Sequence, residues 1–322
     1  MLNIAVVGAT GLVGNEMISE IHRLITDQYK ITALASSRSA GRTITINDHQ
    51  YQVEELTTEI DFGQFDYAVF SAGGDTSRNF AKLFADAGCY VIDNSSAFRF
   101  EDECSLIVPE INFESYHLKS PIIANPNFST IQSVLAIAPL VDFGIEVIDY
   151  TTYQSVSGSG LNGINELKTA VNDFYPKPIT NNVIPQIDRF LENGNTFEEQ
   201  KMIDETIKIL NLNNIEITAT CARVPVYYGH GVNIKVTFTE PINFEQISAA
   251  LVDSPAISYL KDYSTYVTQL EVADTDHVYV SRIRQVGKRS ISMFVVGNNI
   301  KKGAATNSVQ IIKKLIKENN HA

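Results

Sequence analysis

The chain has no apolar run of the roughly 18 residues that a membrane-spanning helix needs, so no such span is expected. Its start lacks the basic segment, apolar core and small-residue cleavage site of a secretory leader, and a cytoplasmic location is expected. Cysteine is scarce: Cys89, Cys104 and Cys221 are scattered without Cys-x-x-Cys spacing, which argues against a disulfide framework or a zinc site, and no metal is expected. Positive charge is short as well. With 25 Lys and Arg against 37 Asp and Glu, the net charge of −12 argues against non-specific nucleic-acid binding, and any anionic ligand must be gripped by a local cluster. No internal repeat or low-complexity linker breaks the chain.

What is present suits an ordinary globular protein of about two domains: 322 residues, 44% hydrophobic and 19% charged. Residues 2–7 are short, apolar and β-branched, and run into Gly8-Ala9-Thr10-Gly11-Leu12-Val13-Gly14, after which apolar residues repeat at helical spacing. This strand, glycine turn and helix is a variant of the dinucleotide fingerprint, with Gly8 permitting the turn, Gly11 admitting a pyrophosphate and Gly14 allowing close packing. Gly8, Thr10, Gly11, Leu12 and Val13 are therefore expected to hold the cofactor. The next strand, 30–35, ends in Ser36-Ser37-Arg38-Ser39, where an NAD site would place an acid; Ser36, Arg38 and Ser39 favour a 2′-phosphate, hence NADP. Further strands at 65–71 and 90–93 flank a helix at 76–87, so the fold class is α/β, with a Rossmann-type doubly wound parallel sheet.

From about residue 145 long β-rich runs dominate (146–157, 214–222, 231–240, 278–285, 290–296), with helices expected at 161–174, 196–210 and 243–252. This half reads as an α+β domain with a mixed or antiparallel sheet. Thr196 and Glu199 form a capping box at the start of the middle helix. The division expected is residues 1–127 for NADP, completed by a C-terminal helix over 300–322, and 128–299 for catalysis and dimerisation.

Between an apolar strand and an apolar helical pattern lies Ala124-Asn125-Pro126-Asn127-Phe128-Ser129-Thr130-Ile131-Gln132. Backbone N–H groups gather at such a turn and suit an oxyanion or a low-pKa nucleophile, yet its middle residue, Phe128, has no nucleophilic group. Arg99 follows Asn94-Ser95-Ser96-Ala97-Phe98 at the carboxyl end of a strand, either as an anion clamp or as a surface arginine paired with Glu101 or Asp102. Glu198 and Lys201 lie three apart, which alone fits an exposed helix pair. His230, between Gly229 and Gly231, is a structural or a catalytic histidine, and Arg223 precedes it by seven residues. A cysteine in place of Phe128 would permit thiolate attack on an aldehyde, hydride transfer to nicotinamide and phosphorolysis of the thioester.

Taken together, the motifs resemble the aspartate-semialdehyde dehydrogenases. They are Val6-Val7-Gly8-Ala9-Thr10-Gly11, Ala35-Ser36-Ser37-Arg38-Ser39-Ala40-Gly41, Asn94-Ser95-Ser96-Ala97-Phe98-Arg99, Asn125-Pro126-Asn127, Ser129-Thr130-Ile131-Gln132, Tyr153-Gln154-Ser155-Val156-Ser157-Gly158, Pro185-Gln186-Ile187-Asp188, Thr220-Cys221-Ala222-Arg223-Val224-Pro225-Val226 and Lys302-Gly303-Ala304-Ala305. The resemblance implies NADPH-dependent reduction of β-aspartyl phosphate to aspartate semialdehyde and phosphate, in lysine, threonine and methionine synthesis, by a homodimer or dimer of dimers. It implies that Arg99 and Lys201 grip the phosphate with Asn127 beside them, that Glu198 binds the substrate amine and Arg223 its carboxylate, that Gln154 orients the reacting group, and that His230 is acid and base. Two departures stand out: Phe128 occupies the position of the family's nucleophilic cysteine, and the segment after His230 is about two residues shorter. The expectation is a chain inactive or severely impaired in that reaction; the alternative is a non-catalytic paralogue that binds nucleotide or a partner chain. N-acetylglutamyl-phosphate reductase shares the general plan but fits the Arg99 and Glu198/Lys201 motifs less well.

Overall fold

The computed structural model describes residues 1–115 and 120–319, divided into two compact units, Met1–Pro126 with Ala304–Ala322, and Asn127–Gly303. Residues 320–322 of the expected C-terminal helix lie outside the described residues. The second unit thus begins at Asn127 and extends to Gly303, beyond the expected 128–299.

The first unit opens with β1 (Leu2–Val7), α1 (Leu12–Leu24) and β2 (Tyr29–Ala35), followed by β3 (Thr43–Ile46) and β4 (His49–Glu55). It continues with β5 (Tyr67–Phe70), α2 (Gly74–Asp86), β6 (Tyr90–Asp93), β7 (Ser105–Leu106) and β8 (Ile122–Ala124). The sheet order is β3-β4-β2-β1-β5-β6-β8-β7, parallel throughout except for β3, which pairs antiparallel with β4. The short β3–β4 hairpin, Thr43-Ile44-Thr45-Ile46 against an alternating Gln50-Tyr51-Gln52-Val53, is an addition to the expected elements; it turns at Asn47 and Asp48, whose φ of 48° and 63° suit these residue types.

The apolar run of β1 is explained by burial on both faces. Ile4 and Val6 join a core with Met17, Ile18 and Ile21 of α1, while Ala5 and Val7 join a second core with Phe84 of α2. Chain direction diverges at β1, with β2 on one side and β5 on the other. In such sheets that switch point opens the ligand crevice at the strands' carboxyl ends.

The second unit begins with α3 (Phe128–Ile137), β9 (Ile145–Gln154), α4 (Gly160–Thr169) and α5 (Phe197–Leu210). There follow β10 (Glu216–Arg223), β11 (His230–Phe238), α6 (Phe244–Val252), β12 (Ser258–Tyr259), β13 (Val278–Val286) and β14 (Ser290–Gly297). Its sheet, ordered β10-β9-β11-β14-β13-β12, is mixed: β9 pairs parallel with β10 and antiparallel with β11. The helix expected over 161–174 stops at Thr169, where Ala170 turns left-handed (φ 56°), and the Glu166 carboxylate takes the N–H groups of Phe174 and Tyr175 instead. The chain returns to the first unit as α7 (Thr306–Asn319), preceded by a π-helical turn over Lys301–Ala305, so the final α-helix begins later than the expected residue 300. Its Val309, Ile312, Leu315 and Ile316 complete the core beside α1.

Candidate active site

In the first unit the carboxyl ends of β1, β2 and β5 frame a cleft of about 450 Å³, lined among others by Gly8, Thr10, Gly11, Ser36 and Arg38. Gly8 has φ +87°, and a Cβ there would lie 2.6 Å from the Ser71 carbonyl oxygen; a Cβ on Gly14 would lie 2.1 Å from the Gly8 carbonyl oxygen. Only glycine fits these positions. Gly11 caps α1 without a side-chain acceptor and no acid follows in the first turn, which leaves the positive end of the helix dipole for an anion. Among the described residues no acid lines the cleft, and Arg38 is exposed in a turn on its wall. The donor set therefore fits a dinucleotide with a 2′-phosphate. Leu12, Val13 and Ser39 do not line the cleft: the first two start α1, with Val13 packed on the core, and the Ser39 N–H closes a turn on the Ser36 carbonyl at 2.8 Å.

Arg99 is not the surface arginine of the alternative reading. It is buried, its Nε donates to the Asn125 carbonyl at 3.0 Å and its Nη2 to the Asn94 carbonyl at 2.9 Å. Neighbouring loops are fixed by residues that local pattern did not single out: Asn307 Nδ2 donates to Asn125 Oδ1 at 2.7 Å, and Ser308 Oγ to Asn94 Oδ1 at 3.0 Å.

In the second unit, strand register assembles the site. Gln154, the last residue of β9, pairs with Arg223 on one side and His230 on the other, so the three form one cross-strand row. From α5, Glu198 reaches the same place: its Oε1 accepts Gln154 Nε2 at 3.0 Å and Asn127 Nδ2 at 2.9 Å, and its Oε2 pairs with Lys201 Nζ at 2.7 Å. The Glu198–Lys201 pair is thus not an exposed one, since its side chains are only 8% and 12% accessible. Burial alone would raise the Glu198 carboxyl, but the Lys201 ammonium and the two amide donors hold it down to about 2.

Asn127 precedes α3 but gives the helix no side-chain cap, because its amide is turned to Glu198; its main-chain N–H donates to Glu205 Oε2 at 2.6 Å. Glu205 is fully buried and lies seven residues after Glu198, two turns along the same helix face. That spacing could have revealed it. Phe128 is the first residue of α3, half-buried, with its ring centroid 6.5 Å from that of His230 and its Cβ close against Gly303.

His230 is buried, and its Nδ1 accepts the Ser155 main-chain N–H at 3.1 Å. Burial first, then the neighbouring Arg223 guanidinium, pushes its pKa down to about 3 against the opposing pull of the Gly229 backbone and of Glu198. Arg223 Nη1 donates to the Ser155 carbonyl at 2.7 Å, and its charge centre lies 6.0 Å from the Tyr175 ring centroid. Its Nε, although buried, has no partner among the described residues. A buried, unpaired guanidinium N–H is costly and calls for an acceptor such as a ligand carboxylate. Tyr175 has no sequence signal; it arrives through the loop anchored on Glu166.

The buried His230 makes the fold acid-sensitive. Its folded value of about 3 lies below the ordinary 6.5, so between these values the unfolded chain takes up a proton that the folded chain refuses, and stability falls as pH falls. Glu198 adds to this only below its ordinary 4.5, its stabilisation being lost as pH approaches 2. Thermal melts between pH 6.5 and 4.5 are expected to show a falling Tm with a shallower slope in His230→Asn. Equal slopes would remove His230 as the cause.

Residues 3–119 match the family model of the semialdehyde dehydrogenase NAD binding domain, and residues 137–302 that of the semialdehyde dehydrogenase dimerisation domain. Over 332 aligned residues, covering 98% of each chain, this protein is 43% identical to an aspartate-semialdehyde dehydrogenase of Shewanella violacea. The chain belongs to the aspartate-semialdehyde dehydrogenase family. Within that family, it superposes with a TM-score of 0.93 on the crystal structure of aspartate-semialdehyde dehydrogenase II of Vibrio cholerae complexed with ASA, at 40% identity and 98% coverage of both chains. The Candida albicans enzyme, solved with NADP, gives a TM-score of 0.80 at 26% identity, with 99% of each chain covered. Among the described residues no helix is long and apolar enough to cross a membrane.

Proposed function

We propose that this chain binds NADP and a small zwitterionic substrate of the aspartate semialdehyde type, and that Phe128 blocks the covalent step of the family's reaction. The observation that carries this reading is Phe128 at the start of α3, facing His230, with a benzyl group where the turn suits a thiolate.

No other thiol fits the task. Cys221 is fully buried, its Sγ 3.7 Å from Met202 Sδ, and burial pushes its thiol well above the ordinary range; Cys89 and Cys104 lie in the first unit's core. Ser129 Oγ accepts the Gln154 amide at 2.7 Å and has a hydroxyl's high pKa to overcome.

The binding groups remain. Arg223 offers its unpaired Nε to a carboxylate, and Glu198, ionised and buried, offers its carboxylate to an ammonium group. Gln154 orients the reacting group between them, Lys201 supplies positive charge for phosphate in the second unit with Asn127 near it, and His230 holds the exchangeable proton. When bound, NADP supplies hydride chemistry, and Gly8, Gly11, Ser36 and Arg38 would hold it. The NAD binding domain match and the relative solved with NADP support this cofactor. The dimerisation domain match supports a homodimer.

The test is phosphate-dependent NADP reduction with aspartate semialdehyde alongside ligand-induced thermal stabilisation. The chain is expected to be stabilised by NADP and to give no turnover above background; robust turnover would overturn the proposal. NADP is expected to stabilise it more than NAD, and Arg38→Ala to erase that preference with about a tenfold loss of NADP affinity, the worth of one charge-assisted hydrogen bond. An unchanged preference in Arg38→Ala would remove Arg38 from the cofactor site.

A further inference from the structure

One nitrogen of His230 is already committed. The Ser155 main-chain N–H donates to Nδ1 at 3.1 Å and meets no other acceptor among the described residues, so Nδ1 must present a lone pair. A proton on Nδ1 would set two buried N–H groups against each other, losing a hydrogen bond and leaving a donor unsatisfied. The Ser155 hydroxyl, also 3.1 Å from Nδ1, gives no way out, because it can accept an Nδ1 proton only by leaving the main-chain N–H unpaired. In the neutral ring the proton therefore sits on Nε2.

The neutral state is held as well. His230 is buried, Arg223 on β10 faces the ring with positive charge, and Phe128 on α3 sets an apolar ring 6.5 Å from it, centroid to centroid. Glu198 on α5 and the backbone of Gly229 pull the other way. Both are engaged elsewhere: Glu198 by Lys201, Gln154 and Asn127, and the Gly229 carbonyl by Gln269 Nε2 at 2.7 Å. A second proton on the ring would have to fall on Nδ1, where the Ser155 N–H opposes it. Loss of the Nε2 proton would leave an imidazolate, a far stronger base than a carbonyl, carboxylate or phosphate oxygen.

We propose that the Ser155 main-chain N–H locks His230 in its Nε2–H tautomer, which makes the histidine a fixed hydrogen-bond donor to a carbonyl oxygen of the ligand instead of an acid and base. Such a buried, neutral imidazole polarises a carbonyl, and stabilises the oxyanion formed from it, without a proton changing hands. Ser155 is a positioning residue that acts through its backbone. Space for the ligand lies beside Nε2: a Cβ on Gly158 would be 3.2 Å from His230 Nε2 and 2.9 Å from Arg223 Nη1, so the two side chains converge over a surface that glycine keeps open. The identity of the ligand oxygen rests on the aldehyde substrate proposed above; the tautomer does not.

Long-range ¹H–¹⁵N spectra of the chain carrying ¹⁵N-labelled histidine report the tautomer and charge of each of the six histidines, with His230 assigned by the signal lost in His230→Asn. Between pH 8 and pH 5, without ligand, His230 is expected to stay neutral, its Nε2–H form exceeding the Nδ1–H form by at least about tenfold, one hydrogen bond's worth. Ser155→Ala keeps the main-chain N–H and is expected to keep that tautomer. Aspartate semialdehyde is expected to move the Nε2 proton downfield with no change of tautomer or charge. An Nδ1–H or mixed ring, a ring that becomes charged above pH 5, or a change of tautomer in Ser155→Ala would overturn the proposal. So would a ligand that binds by calorimetry and leaves the Nε2 proton unmoved. Absence of any binding would remove the proposed substrate instead, and the spectrum of the unliganded chain would then decide the lock by itself.

Discussion

Phe128→Cys is expected to raise phosphate-dependent NADP reduction with aspartate semialdehyde by at least about a thousandfold over the parent chain. Removing a catalytic nucleophile from an enzyme that depends on it costs up to about 10⁶ in kcat, so even an imperfect restoration is a large effect. The position favours a thiolate: it is the first residue of α3, the helix carries no side-chain cap from Asn127, and the first-turn amides and dipole stabilise negative charge. Two buried carboxylates oppose it, Glu205 on the Asn127 N–H and Glu198 on the Asn127 amide, which keeps the expected gain below the full 10⁶.

The assay is read beside alkylation of the introduced thiol, which reports its reactivity independently of turnover. A reactive thiol without turnover would show that Phe128 is not the sole lesion, and would place a second one in the shortened segment after His230. There the geometry is tight. A Cβ on Gly231 would lie 2.7 Å from Phe294 Cζ, so a side chain there would require the Phe294 ring to shift.

Arg223→Ala is expected to weaken binding of aspartate semialdehyde by about a hundredfold or more while leaving NADP binding intact. Truncating one partner of a buried, hydrogen-bonded charge pair costs roughly 2–5 kcal/mol, much of it the penalty of leaving the other charge unpaired. Here the unpaired group would be the ligand carboxylate, now facing the ring of Tyr175 and the Ser155 carbonyl. Arg223→Lys is expected to fail as well, because the one nitrogen of an ammonium cannot stand both where Nη1 donates to Ser155 and where Nε meets the ligand. Calorimetric titration separates the outcomes: an unchanged dissociation constant in Arg223→Ala would show that the unpaired Nε has no part in recognition.

Much of the first unit was legible because its signals are local. The glycines around β1 and α1, and the missing acid after β2, are short-range features whose meaning survives whatever the rest of the chain does. The β3–β4 hairpin escapes notice because β3, although it alternates Thr and Ile, is only 4 residues long, and the expected helix at 161–174 is too long because the pull of Glu166 on the following amides is not a periodic signal. Arg99 and the Glu198–Lys201 pair were ambiguous by position, since burial separates a clamp from a surface charge and burial depends on distant chain.

By itself the sequence determined the α/β nature of the first unit, the cofactor turn and the family likeness, all of which are written in residue identity and short spacing. Only tertiary structure decided that Arg223, Gln154 and His230 stand in one row and that Glu198 closes on Gln154 and Asn127. The reason is physical: strand register and helix docking are set by which distant surfaces pack, and a slip of one residue in β9 would turn Gln154 to the opposite face.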